Sequence, residues 1–141
     1  MPKFNIVEKV IALEGIELFG KLAPDQLARI AAIAHEVNFA QGAVILDASK
    51  PIDGLYVITE GAVELSHESK LLTTARQDEV LGSWALFEEN DPIQLNASAI
   101  DDTRLLYIAR DDFFELLADH SEITSAIFAT LVKRFRGVAK R

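Results

Sequence analysis

Side chains able to hold a metal, attack a carbonyl or relay a proton are few in this chain, and their spacing assembles no reactive set. There is no cysteine, which removes disulfides, thiolate metal sites and thiol nucleophiles. His35, His67 and His120 stand far apart with no ligand spacing, so they read as structural or exposed histidines, and no metal is expected. No serine sits in a glycine elbow, and no glycine-rich phosphate loop occurs. Glu88, Glu89 and Asp91 read as a solvated loop, and nothing singles out a catalytic carboxylate pair. Trp84, the sole tryptophan, reads as a core or lid residue, with stacking on a flat ligand as the alternative. The expectation is a protein that is not an enzyme, with no catalytic residue and no cofactor.

Charge narrows the partners. The 141 residues carry a net charge of −8, unevenly spread. Lys133, Arg134, Arg136, Lys140 and Arg141 are five cations in the last nine residues, so residues 1–132 hold nine cations against 22 acids, a net −13. A body that acidic repels a phosphate backbone, so DNA is not an expected partner. The basic end suits a helix C-terminus and a solvated tail, with an anionic partner as the sharper alternative. No apolar run approaches the ~20 residues of a membrane-spanning helix, and the first residues do not read as a secretory signal. A cytoplasmic protein with no membrane insertion is expected.

The elements that must position any site fall into helix, strands and helix. Phe4–Leu13 has helical apolar spacing and stops at Gly15. A second helix starts near Pro24, with Leu27, Ile30, Ala31 and Ala34 as its buried stripe. Short strand signals follow at Val37–Ala40, Val44–Leu46, Leu55–Thr59, Ala62–Leu65, Leu71–Arg76, Ser98–Ile100 and Arg104–Ala109. Gly61 marks a hairpin turn with positive φ. Asp111–Ala118 forms one closing helix and Ser121 caps another, whose Ile123, Ile127, Leu131 and Phe135 recur every four residues. Strands at this spacing suggest a sandwich or barrel, giving residues 1–35 as helical segment, 36–109 as β-roll and 110–141 as C-terminal helices of a single domain. The stripe on the last helix either covers the roll or pairs with a second copy, which would make a homodimer.

Particular residues add a resemblance. Leu18-Phe19, Leu22, Pro24 and Leu27 open it, followed by Phe39, Gly42 and Ile45. Pro51-x-Asp53-x-Leu55-Tyr56-x-Ile58-x-x-Gly61-x-Val63 is its most specific stretch, and Asp102 to Leu106 followed by Arg110 to Phe113 closes it. This order resembles the cyclic nucleotide-binding domains of the catabolite activator protein, kinase regulatory subunits and gated channels, over roughly residues 16–136. The resemblance implies a mainly β fold, a double-stranded β-helix or jelly-roll barrel with N-terminal helices and two C-terminal helices. It also implies a protein partner or fused domain. The activators of the family carry a helix-turn-helix after the long helix, and the six residues beyond Phe135 are too few for one.

The family's phosphate-binding cassette reads Phe-Gly-Glu-x-Ala-Leu-Leu, then Pro-Arg-Ser-Ala after a short gap. Here Leu81-Gly82-Ser83-Trp84-Ala85-Leu86-Phe87 is followed, after four residues, by Pro92-Ile93-Gln94-Leu95-Asn96. Gly82, Ala85, Leu86 and Pro92 keep the register. Ser83 falls where the resemblance implies a ribose-binding glutamate, and Ile93 where it implies the arginine that meets the phosphate. A buried phosphodiester needs its charge met, and isoleucine offers no donor. Gly82, Ser83, Trp84, Ala85, Ile93 and Gln94 are therefore the candidate pocket positions of a cassette degenerate for cyclic nucleotides. Backbone N–H groups around Gly82 to Ala85 would leave only a weak anion site. The expected function is a regulatory sensor or interaction module that does not hold cyclic AMP or cyclic GMP tightly. The alternative is a true small-ligand sensor using the altered pocket. Ser49-Lys50-Pro51-Ile52 also lacks glycines that relatives place before Asp53, implying an altered loop.

Overall fold

A computed structural model describes residues 3–82 and 95–139, the last two by backbone alone. Two compact units emerge, one of strands (Ala34–Arg110) and one of helices (Met1–Ile33 with Asp111–Arg141).

The strand unit holds β1 (Ala34–Phe39), β2 (Val44–Leu46), β3 (Gly54–Glu60), β4 (Ala62–His67), β5 (Lys70–Arg76), β6 (Val80–Leu81), β7 (Asn96–Ala99) and β8 (Thr103–Ala109). They form two four-stranded antiparallel sheets, ordered β1-β8-β3-β6 and β2-β7-β4-β5. Apart from the β4–β5 hairpin, each strand passes to the opposite sheet, which is the jelly-roll arrangement expected from the sequence. Ile58, Leu81 and Leu105 from the first sheet meet Leu46, Val63, Ala75 and Ala97 from the second in one apolar core. Leu55, Val57 and Ile58 on β3, and Leu105, Leu106 and Ile108 on β8, are at most 1% exposed, so these strands are buried on both faces. Their nearly unbroken apolar runs follow from that.

Gly61 joins β3 to β4 at φ +97°, and a Cβ there would lie 2.6 Å from Thr103 Oγ1 and 2.7 Å from the Asp102 carbonyl. Both conformation and space therefore demand glycine, as the sequence suggested.

Three strand boundaries differ from expectation. β1 begins at Ala34, so Ala34 belongs to a strand and not to the helical stripe; the helix has ended at Ala32. β7 runs Asn96–Ala99, two residues earlier than expected at its start, because the alternating buried positions are the small Ala97 and Ala99. β6 carries only two residues and pairs with Tyr56 and Val57, too short to leave a periodic signal.

The helical unit comprises α1 (Ile6–Glu14), a 3-10 turn (Glu17–Phe19), α2 (Pro24–Ala32), α3 (Arg110–Asp119) and α4 (Ser121–Ala139). α1 starts later than expected because Asn5 caps it: the Asn5 side chain accepts from the Glu8 N–H (2.8 Å) and Glu8 accepts in return from the Asn5 N–H (3.1 Å). Pro24 opens α2, where it forfeits no helical hydrogen bond, and Gln26 accepts from the Ala23 N–H at 2.9 Å. Ser121 is the first residue of α4 and not a cap before it, since the N–H groups of Ile123 and Thr124 bond the His120 carbonyl.

The expected four-residue stripe on α4 divides. Ile123 and Ile127 are buried, while Phe128, Val132 and Phe135 stand 65%, 41% and 73% exposed. The displayed apolar line is thus Phe128-Val132-Phe135, spaced to share one face.

Candidate functional site

β6 ends at Leu81 and β7 begins at Asn96, so Gly82 on one side and Leu95 on the other are the described residues that flank the cassette positions. Gly82 closes β6 at φ +81°, with a Cβ position only 2.7 Å from the Gly54 carbonyl and 2.8 Å from Ile52 Cγ2. Any side chain there would be strained by conformation and blocked by space. On the return side Leu95 is buried, and Asn96 Oδ1 accepts from the Ala48 N–H at 2.9 Å, fastening β7 to the loop after β2. Of the candidate positions Gly82 alone is described. Ser83, Trp84, Ala85, Ile93 and Gln94 lie outside the described residues.

The β2–β3 loop is the one whose missing glycines suggested an altered course. With β2 and β3 it walls a cavity of about 320 Å³, lined by Ile45, Asp47, Lys50, Ile52, Asp53 and Tyr56 among others. Ile45, Ile52 and Tyr56 also pack on the apolar core, so the cavity floor continues into it.

Each polar group at the cavity has a reason for its place. Asp47 accepts from both the N–H and the hydroxyl of Ser49 at 2.9 Å, an Asx turn that the spacing Asp-x-Ser makes available. The backbone bond, then the hydroxyl bond, hold the Asp47 carboxyl below its ordinary pKa. Asp53 accepts from the Tyr107 hydroxyl (3.1 Å), while its carbonyl accepts from the Arg110 N–H (3.0 Å). Tyr56 and Tyr107 are cross-strand partners with ring centroids 5.0 Å apart. Burial first, then the nearby Asp53 charge, push the Tyr56 phenol above its ordinary pKa, so it remains a neutral donor. Two carboxylates against one lysine make this lining a poor host for an anion and a better one for a ligand with donors.

One buried cation occurs among the described residues, and it is already matched. Arg104 on β8 meets Glu36 at 3.0 Å and Glu60 at 3.3 Å, with the Arg104 and Glu36 side chains 6% and 7% exposed. The Glu36 hydrogen bond outweighs desolvation and raises the guanidinium pKa further. Arg104 alternates with the core residue Leu105, so it leaves β8 on the face away from the roll interior. It cannot stand in for an arginine at Ile93. Sequence reasoning counted Arg104 only as part of a motif; its pairing with Glu36, on the neighbouring strand β1 at the far end of the strand unit's sequence, had no local signal.

Among the described residues no group of His, Asp or Glu could hold a metal ion, and no helix is long and apolar enough to cross a membrane.

Comparison with known proteins addresses the whole arrangement. The sequence model described as "Cyclic nucleotide-binding domain" matches residues 36–120. The chain is 26% identical over 129 residues to the Cyclic AMP receptor protein of Thermus thermophilus, covering 88% of this chain and 59% of that one. The chain therefore spans about three fifths of that curated relative. Among solved structures, the N-terminal domain of a transcriptional regulator from Streptomyces coelicolor A3(2) superposes with a TM-score of 0.79 at 27% identity, over 90% of this chain and 93% of that one. The sensor domain of the transcriptional regulator DNR from Pseudomonas aeruginosa shares the fold, with a TM-score of 0.72 at 20% identity over 93% and 91%. The two solved structures are by name parts of transcriptional regulators, and the curated relative is by name a receptor. The expectation against DNA gains no support from them, since two are parts of transcriptional regulators.

Proposed function

The chain belongs to the cyclic nucleotide-binding domain family, and we propose that it is a regulatory sensor or interaction module of that family which binds cyclic AMP and cyclic GMP poorly. The reading rests on the cassette resemblance, in which Ser83 and Ile93 fall where the family places its ribose-binding acid and phosphate-binding arginine, with Gly82 keeping the register. Support comes from Arg104, whose charge is committed to Glu36 and Glu60, and from the β2–β3 cavity, whose lining sets Asp47 and Asp53 against Lys50. Two missing charge-assisted contacts at ~1.5–3 kcal/mol each amount to roughly two to four orders of magnitude in affinity. In this reading residues 1–141 act as one domain in the cytoplasm, on a protein partner or fused domain, and pair as a homodimer along Phe128-Val132-Phe135 of α4.

Calorimetry on the whole chain tests the reading. Millimolar binding or none is expected for both nucleotides, and low-micromolar binding overturns it. The double variant Ser83→Glu/Ile93→Arg should regain at least tenfold in cyclic AMP affinity, with Ile93→Arg the better single change because the phosphate carries the formal charge. A folded double variant with no gain means the cassette has been rebuilt for something else.

A second reading, a sensor for another small ligand, is favoured by the cavity beside Tyr56. A neutral or cationic compound that raises Tm in the parent, with the rise lost in Tyr56→Phe, would select it.

A further inference from the structure

The helical unit holds a second concave feature, remote in sequence from the cassette and untouched by the reading above. A cavity of about 390 Å³ opens between the 3-10 turn and α4, lined by Glu17, Gly20, Lys21, Thr130, Lys133 and Arg134. Thr130, Lys133 and Arg134 are neighbours on one helical face by their three- and four-residue spacing. Glu17, Gly20 and Lys21 face them from the turn, which packs against α4. Three cations and one acid give this lining a net charge of +2 in a chain whose total is −8. We propose that this cavity is an anion site for a compact polyphosphate-type ligand.

Geometry favours such a guest. Glu17 Oε1 accepts from Arg134 Nε at 3.0 Å and lies 2.8 Å from Nη2, which fixes the guanidinium plane at the rim and leaves its other N–H groups for a ligand. Among the described residues neither Lys21 nor Lys133 is ion-paired, so each brings an uncommitted ammonium to the same cavity. Thr130 is 8% exposed and gives its one hydroxyl proton to the Ala126 carbonyl at 3.3 Å, so the cations and not this hydroxyl would meet the anion. The volume lies in the range of small-molecule pockets. At physiological salt, charges beyond ~8 Å are largely screened, so the lining's own net charge of +2 weighs most on a pocket-sized anion.

The test is titration of pyrophosphate into the whole chain at physiological salt, read by calorimetry and by NMR shifts of the Gly20, Lys21 and Thr130 amides. Saturable one-site binding with shifts centred on those amides is expected. Lys21→Gln/Lys133→Gln should weaken binding about tenfold, at ~0.2–1 kcal/mol per exposed charge contact. Lys70→Gln, a cation on the strand unit, should stay within about twofold. Glu17→Gln removes the one negative charge of the lining and keeps an acceptor for Arg134, so it should tighten binding by about threefold. Heats that never saturate, an equal loss in Lys70→Gln, or no tightening in Glu17→Gln would each overturn the proposal.

Discussion

Arg104 and Arg134 each meet a glutamate at hydrogen-bonding distance, 3.0 Å to Glu36 and 2.8 Å to Glu17, yet their settings are opposite. In the strand unit both members of the pair are almost fully buried. In the helical unit Arg134 is 52% and Glu17 70% exposed. Removing one partner from the first leaves a charge in a low-dielectric setting, whereas removing one from the second leaves it in water. Distance alone ranks the two pairs alike; burial separates them. The contrast belongs to the two pairs and not to the units as wholes, since the strand unit exposes Val44, Leu71 and Leu72 as the helical unit exposes Phe128 and Phe135.

The largest expected effect tests the buried member of that contrast. Arg104→Met strands Glu36 without its cation and should cost about 3–5 kcal/mol in urea unfolding. Arg134→Met should cost no more than about 1 kcal/mol. Equal losses would mean that burial is not what distinguishes the pairs.

Next comes the displayed apolar line. Phe128→Glu/Phe135→Glu should turn a dimer into a monomer by light scattering while changing monomer stability by only about 0.5 kcal/mol, as exposed substitutions do. A parent chain that is monomeric at high concentration would remove the homodimer from the proposed function.

The smallest effect is a pH slope. The Tyr56 pKa is raised in the folded state, so the unfolded chain loses its phenol proton first, near pH 10.0. The associated stability is whole below that value and is lost as pH rises through the folded pKa. Tyr56→Phe should flatten the alkaline fall in urea stability relative to the parent, and an unchanged slope would show that the cavity does not hold the phenol as described.

Where local physics and tertiary physics agreed, the sequence was readable. The β3–β4 hairpin combined an apolar run with a glycine at φ +97°, and both signals point to one turn. The start of β1 was misread because Ala34 falls four residues after Ile30, at helical spacing, and no glycine or proline marks the change of backbone. The Asn5 cap was legible as Asn-x-x-Glu, although the apolar spacing drew the helix start to Phe4. On α4 the period was right and the burial was not, because periodicity says which residues share a face but not how much of the face is covered. At the site, Gly82 could be found from its place in the cassette, and the structure supplies its reason in Gly54 and Ile52. The cavity beside Tyr56, and the meeting of Lys21 with Lys133, join residues far apart in the chain, and no local pattern encodes such meetings.

The order β1-β8-β3-β6 also governs how this protein is made. β8 lies between β1 and β3, so Ala34 must wait for Ile108 and Phe39 for Thr103 before the first sheet has a centre. On a ribosome adding about 5–20 residues per second, β1 waits several seconds for its partner, and β3 has only the two-residue β6 on one edge until β8 is made. Among the described strands only the β4–β5 hairpin, closed through His67 and Lys70, can form from neighbours alone. Closing so long a loop is entropically slow, and topologies dominated by such pairings fold in milliseconds to seconds, not microseconds. The nascent chain is consequently most exposed to aggregation in the interval before Thr103–Ala109 emerges, and a chaperone that shields apolar strands in that interval would raise the yield of folded protein.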